Sequence, residues 1–189
     1  MKQTLLYFAL MLLSGSIAGC GNGGGASNSG GNQTTSPAIV LNTVLSSGRA
    51  DRIGSINVTA ELPDGVTVTA DAFGFIPQSA LYLSGQGAAF AATPNTTAIL
   101  IGKYYPATPT SRAKVSIAFT GIVNSGGGAT GMNPGEFATL LCDVAPGALF
   151  DAATLLPLTG IDIADSVGTQ PHLSETTPPL AWITYQISK

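Results

Sequence analysis

One histidine, two cysteines and ten carboxylates are what this 189-residue chain offers for acid–base, nucleophilic or metal chemistry. His172 stands in Gln170-Pro171-His172, a loop setting. A histidine-ligated metal site normally takes two or three such ligands, so His172 reads as a solvated bystander. The sequence holds no C-x-x-C, no H-E-x-x-H, no G-x-S-x-G and no phosphate-binding glycine loop ending in Lys-Ser or Lys-Thr. Glycoside hydrolysis requires two carboxylates across a cleft. Asp64, Asp143, Asp151 and Glu175 instead adjoin turns or strand ends, where acids serve solubility and turn formation. Asp162 and Asp165, with nearby backbone carbonyls, could hold Ca²⁺. Their spacing is not that of an EF-hand loop, and they read as a solvated acidic turn. These residues predict no enzyme, no bound metal and no cofactor.

The aromatic residues offer a different chemistry. A pyranose face packs on an exposed ring, and Tyr82, Tyr104, Tyr105, Trp182 and Tyr185 are the large amphipathic rings. Tyr104-Tyr105-Pro106 ends a predicted strand, so Tyr104 and Tyr105 are the candidate ligand-binding rings. Strand neighbours point to opposite faces, so the two cannot share one platform unless the strand breaks there. Trp182 and Tyr185 also have opposite parity. Packing in the core or at an edge competes with ligand binding at every one of these rings. Cys142 reads as a buried small hydrophobe.

The elements that must position these residues begin with an export signal. Residues 1–19 carry Lys2, then an apolar run from Leu5 to Leu13, then Ser14, Gly15 and Ser16. The run is too short for a membrane span and the right length for a signal core. Ile17-Ala18-Gly19-Cys20 resembles the bacterial lipobox. That resemblance implies cleavage between Gly19 and Cys20 by signal peptidase II, and diacylglyceryl and acyl groups on Cys20. Two or more chains give a stable anchor where one does not. Gly21 stands where an Asp would retain the protein at the inner membrane, so the resemblance implies an outer-membrane destination in a Gram-negative cell. With Cys20 lipidated, Cys142 has no intrachain partner.

Residues 20–36 hold the lipidated Cys and a Gly/Ser/Asn-rich tether, and a single domain is expected over 37–189. From Pro37 onward the hydrophobic period is two. Ile56, Val58, Ala60 and Leu62 alternate with Asn57, Thr59 and Glu61. Val115, Ile117 and Phe119 alternate with Ser116, Ala118 and Thr120. Residues 53–62 and 65–70, around Pro63-Asp64-Gly65, are expected to form a hairpin or one bulged strand. Ala80–Leu83 and Thr97–Ile101 read as short strands, and Gly85–Pro94 as a small-residue loop that could hold one helical turn. Phe137–Val144, apolar on both faces, reads as a central strand. Ala148–Ala153 suggests a short helix, and Leu155–Ile163 and Trp182–Ile187 complete the pattern. The fold predicted is all-β: one antiparallel sandwich of jelly-roll type with about eight or nine strands.

Charge narrows the partners. Losing Lys2 with the signal leaves six basic residues against ten acidic ones, which argues against nucleic acid. Four segments resemble the cohesin-like domains of bacterial surface proteins. They are Ile53–Ala60 with Leu62-Pro63-Asp64-Gly65-Val66, Ala113–Ala118, Gly135-Glu136-Phe137-Ala138-Thr139-Leu140, and Leu158-Thr159-Gly160-Ile161 with Asp165 and Gly168. Cohesins share a nine-strand jelly roll with family 2 and family 3 carbohydrate-binding modules. They bind Ca²⁺-loaded dockerins and help build polysaccharide-degrading assemblies. The resemblance implies a non-catalytic surface module that binds a polysaccharide or a protein partner. The alternative is a structural component of an envelope or extracellular assembly.

Overall fold

Alternation of apolar and polar residues along the chain becomes alternation of buried and exposed ones. The computed structural model describes residues 36–47, 51–124, 131–166 and 172–188. In chain order the elements are β1 (Ala38–Leu45), β2 (Ile53–Glu61), β3 (Val66–Thr67), β4 (Leu81–Leu83), α1 (Gly85–Ala91), β5 (Thr96–Tyr105), β6 (Lys114–Val123), β7 (Gly135–Leu141), β8 (Asp143–Val144), β9 (Thr159–Asp165) and β10 (Ala181–Ser188). One four-stranded sheet has the order β10-β1-β7-β4, a second β5-β6-β2-β9, and β3 pairs with β8. The pairings between these strands are antiparallel.

The two large sheets bury their apolar faces together as a sandwich. Ile56, Val58 and Ala60 of β2 and Val115, Ile117 and Phe119 of β6 supply one inner face. Ile39 and Leu41 of β1, Phe137 and Leu140 of β7 and Ile183 of β10 belong to the same core. Phe119 and Phe137 meet with ring centroids 6.2 Å apart, and Phe90 of α1 meets Phe119 edge-on at 6.4 Å. Each such side chain contributes roughly 1.5–3 kcal/mol by leaving water.

Of the stretch apolar on both faces, the part up to Leu141 is central as β7, with β1 on one side and β4 on the other, whereas Asp143 and Val144 leave that sheet as β8 to pair with β3. The register of β7 against β1 slips between Leu41↔Ala138 and Asn42↔Glu136, leaving Phe137 as an extra, bulged residue. Bulges re-aim side chains, and here Phe137 and Ala138 are both buried. Thr43 secures the end of this pairing: its Oγ1 donates to the Gly135 carbonyl (3.2 Å) and accepts from the Gly135 N–H (3.1 Å). Helix α1 lies on β7 because Gly87 has no Cβ, which would collide with the Phe137 carbonyl.

Several expectations are corrected. Residues 53–62 and 65–70 form neither a hairpin nor one strand, because β2 is central and β6 and β9 occupy both its edges. Val66 and Thr67 pair instead with Val144 and Asp143. Ala148–Ala153 is not helical: the Asp151 carboxylate takes the N–H groups of Ala153 and Thr154 (both 3.0 Å) and closes a turn. Side chains of this kind compete with the helical backbone. Gly85–Pro94 holds a seven-residue helix. β5 runs ten residues, well beyond Thr97–Ile101. The last strand before β10 begins at Thr159, after a turn, rather than at Leu155. With two two-residue strands included, the described residues contain ten strands rather than eight or nine. The signal and lipidation readings, Gly19 and Cys20 included, lie outside the described residues.

Candidate binding surface

Strand β5 is the edge of its sheet and carries two unlike faces. Ala98, Leu100 and Tyr104 pack inward against the core. Ile99, Ile101 and Tyr105 point outward and are 42%, 50% and 47% exposed. Tyr104 and Tyr105 are therefore divided between the faces, as parity requires. The strand does not break there, so Tyr104 packs against the core, where burial raises its phenol pKa. Tyr105 stays on the surface.

A second ring joins Tyr105 from a turn remote in sequence. The Asp71 carboxylate accepts the N–H groups of Phe73 and Phe75, both at 2.8 Å. The Asp71 N–H donates to the Phe75 carbonyl at 2.9 Å, and the Gly74 N–H to the Asp71 carbonyl at 3.0 Å. This closed turn presents Phe73 and Phe75, 79% and 48% exposed. It is pinned to β5 by a bridge between Phe75 and Lys103. There the Ile76 N–H meets the Gly102 carbonyl (3.0 Å) and the Tyr104 N–H meets the Gly74 carbonyl (2.8 Å). The Lys103 Nζ then lies 5.6 Å from the Phe75 ring centre and 5.4 Å from that of Tyr105. At an exposed site each such contact is worth about 0.5–1 kcal/mol.

Charge gathers at this end of the β5–β6 hairpin. Three of the four Lys and Arg residues among those described, Lys103, Arg112 and Lys114, belong to it. Lys114, opposite Tyr105, is bound to Glu61 at 2.9 Å. Arg112 sits 3.8 Å from Asp64. Lys103 makes no ion pair among the described residues. The Asp64–Arg112 pair borders two shallow clefts, one of about 510 Å³ lined by Pro63, Leu149, Thr154 and Leu156, the other of about 310 Å³ beside Thr108 and Ser111.

The remaining candidates disperse. Trp182 points outward at 38% exposure, while Tyr185 turns inward and donates its hydroxyl to the Leu155 carbonyl at 3.2 Å. Tyr82 is exposed on the outer side of β4, opposite Thr139. Asp162 and Asp165 are not a solvated acidic turn. They lie in β9 three residues apart, on opposite faces, and Asp165 is buried. That spacing cannot direct both carboxylates at one ion. Among the described residues no three His, Cys, Asp or Glu side chains gather as a metal site.

His172 is exposed but is not a bystander. Its Nδ1 lies 2.8 Å from Asp162 Oδ1, with Glu175 at 4.0 Å. The hydrogen bond and charge of Asp162, then the charge of Glu175, raise its pKa. Cys142 is buried as expected, and burial, with Asp143 adding to it, pushes its thiol up to about 12.

Sequence reasoning missed Phe75 and Lys103. The available signal was Asp71-Ala72-Phe73-Gly74-Phe75, a turn sequence carrying two phenylalanines where polar residues are usual. The cohesin-like segments fall on β2 and the turn into β3, on β6, on β7 and on β9, while Gly168 lies outside the described residues. No family model, curated protein or solved structure matches the chain.

Proposed function

We propose that this chain is a non-catalytic binding module, tethered to the cell envelope through lipid on Cys20, whose outer β5 face takes a polysaccharide. The observation carrying this reading is the pair of exposed rings, Phe75 and Tyr105, held around Lys103 by a hydrogen-bonded turn and a strand. Rings fixed before ligand arrives cost little ordering entropy on binding. The lipobox-like Ile17-Ala18-Gly19-Cys20 supports the anchor, and Gly21 supports the outer membrane as its place in a Gram-negative cell. A glycan array probed with the protein tests the module. Binding is expected to vanish in the Phe75→Ala/Tyr105→Ala double variant and to persist in Tyr104→Phe. An array without a single glycan hit sinks the reading. For the anchor, Cys20→Ser is expected to move the protein from the membrane fraction to the soluble one.

A second reading has its own observation. Ile99, Ile101 and Ile122 continue the strip with exposed aliphatic side chains, and a contiguous apolar patch favours a protein partner. The chain would then be a fixed part of an envelope or extracellular assembly. Co-purification of one stoichiometric partner, lost in Ile99→Ser/Ile101→Ser, would favour it over the glycan module.

A further inference from the structure

The ring strip contains a cation, and the cation narrows the ligand. Lys103, itself half-buried, lies by the exposed rings of Phe75 and Tyr105. Its neighbours in charge differ from it. Glu61 neutralises Lys114 and Asp64 stands beside Arg112, while Lys103 lies by two rings and makes no ion pair among the described residues. In a chain of net charge −3, most described basic residues crowd this one end. A neutral sugar needs rings and hydrogen-bond partners but has no use for an uncompensated ammonium between them.

Resting on the polysaccharide reading above, we infer that the ligand is an acidic polysaccharide of the uronic-acid class. A hexuronate carries an apolar C–H face and a carboxylate on the same small ring. The face packs on Phe75 or Tyr105 while the carboxylate meets the Lys103 ammonium beside them. Ser116, opposite Lys103 on β6 and on the same outward face, adds a hydroxyl for the sugar. The order ring–ammonium–ring suits a polymer that repeats the same two features along its length. Losing a charge-assisted hydrogen bond, by removing the charge from either partner, is expected to weaken binding by about tenfold or more.

Affinity electrophoresis of the protein against polygalacturonate, its methyl ester and a neutral β-glucan tests the inference, with each variant's unfolding transition measured alongside. Retardation is expected with polygalacturonate, weakened about tenfold by methyl esterification and by Lys103→Met, and largely restored in Lys103→Arg. The ester comparison uses unaltered protein, so a misfolded variant does not decide the outcome. Equal binding to the neutral glucan, indifferent to Lys103→Met but abolished in Phe75→Ala/Tyr105→Ala, overturns the acid preference and leaves the glycan module standing. Binding to no glycan overturns both. Retardation by an oligothymidylate gel equal to that by polygalacturonate also overturns the inference, since the strip would then accept any polyanion.

Discussion

The two edges of the β5-β6-β2-β9 sheet are finished differently. At β9 the edge is closed by the segment that follows: the Leu173 N–H donates to the Ile163 carbonyl at 2.7 Å. Ser174 Oγ donates to the Ile161 carbonyl at 3.0 Å and accepts the Ile163 N–H at 3.2 Å. His172 ties to Asp162 beside it. The adjoining outer face, along β2, is Ser55, Asn57, Thr59 and Glu61, polar throughout. At β5 the turn at Phe75 covers only the stretch around Lys103, and the outer face is Ile99, Ile101 and Tyr105. One half of the sheet is finished for water. The other keeps rings, aliphatics and a cation at the surface, which solubility alone would not select.

That contrast is easiest to break by exchanging inner and outer residues. Phe119→Ala, on the inner face of β6, is expected to cost about 3–5 kcal/mol, while Ile101→Ser on the outer face of β5 should stay within about 0.5 kcal/mol. Urea unfolding of both variants checks this. A large loss from Ile101→Ser would make the β5 face structural and remove the case for a contact surface. Thr43→Val comes next. It takes the hydroxyl away from the N–H and carbonyl of the half-buried Gly135 and is expected to cost about 0.5–1.5 kcal/mol in the same assay.

Cys142 sharpens the comparison chemically. With its thiol pushed up to about 12, it should resist iodoacetamide at pH 8 in the folded protein and react fully in urea; mass spectrometry reads the difference. The smallest effect belongs to the closed edge. The pKa of His172 is raised above the ordinary 6.5, so its stabilising pair with Asp162 is complete below that value. It is lost as pH rises through the folded pKa. Thermal unfolding should therefore show a slight fall in stability from pH 6.5 upward that His172→Gln abolishes.

Where outward residues are polar, the sequence is transparent. β2 and β6 announce themselves by strict alternation, and their inner residues are the buried ones. β5 is harder to read because Thr-Thr-Ala-Ile-Leu-Ile-Gly-Lys-Tyr-Tyr puts isoleucines on the side where alternation predicts polarity. Its true length is hidden by the feature that makes it interesting. The outward position of Tyr105 was legible, since parity separates it from Tyr104. Its partnership with Phe75 was not, because it depends on a bridge between residues 75 and 103 that no local period encodes. The Pro63-Asp64-Gly65 turn misled for a related reason. A turn signature says that the chain reverses, but pairing depends on which strand edges are still free. His172 looked idle because its partner, Asp162, is ten residues earlier on β9.

The position of β1 in its sheet has a mechanical consequence. This strand runs between β7 and β10, antiparallel to both, and the chain enters it at Ala38. Tension arriving along the backbone ahead of Ala38 pulls β1 lengthwise between its two neighbours. The hydrogen bonds on both flanks stand across the strand, so they are loaded together in shear. β10 is an outer strand held on one side only, so force applied at Ser188 loads one row of hydrogen bonds where β1 loads two. A pull on the chain ahead of Ala38 is therefore resisted by two strands, and a pull at Ser188 by one.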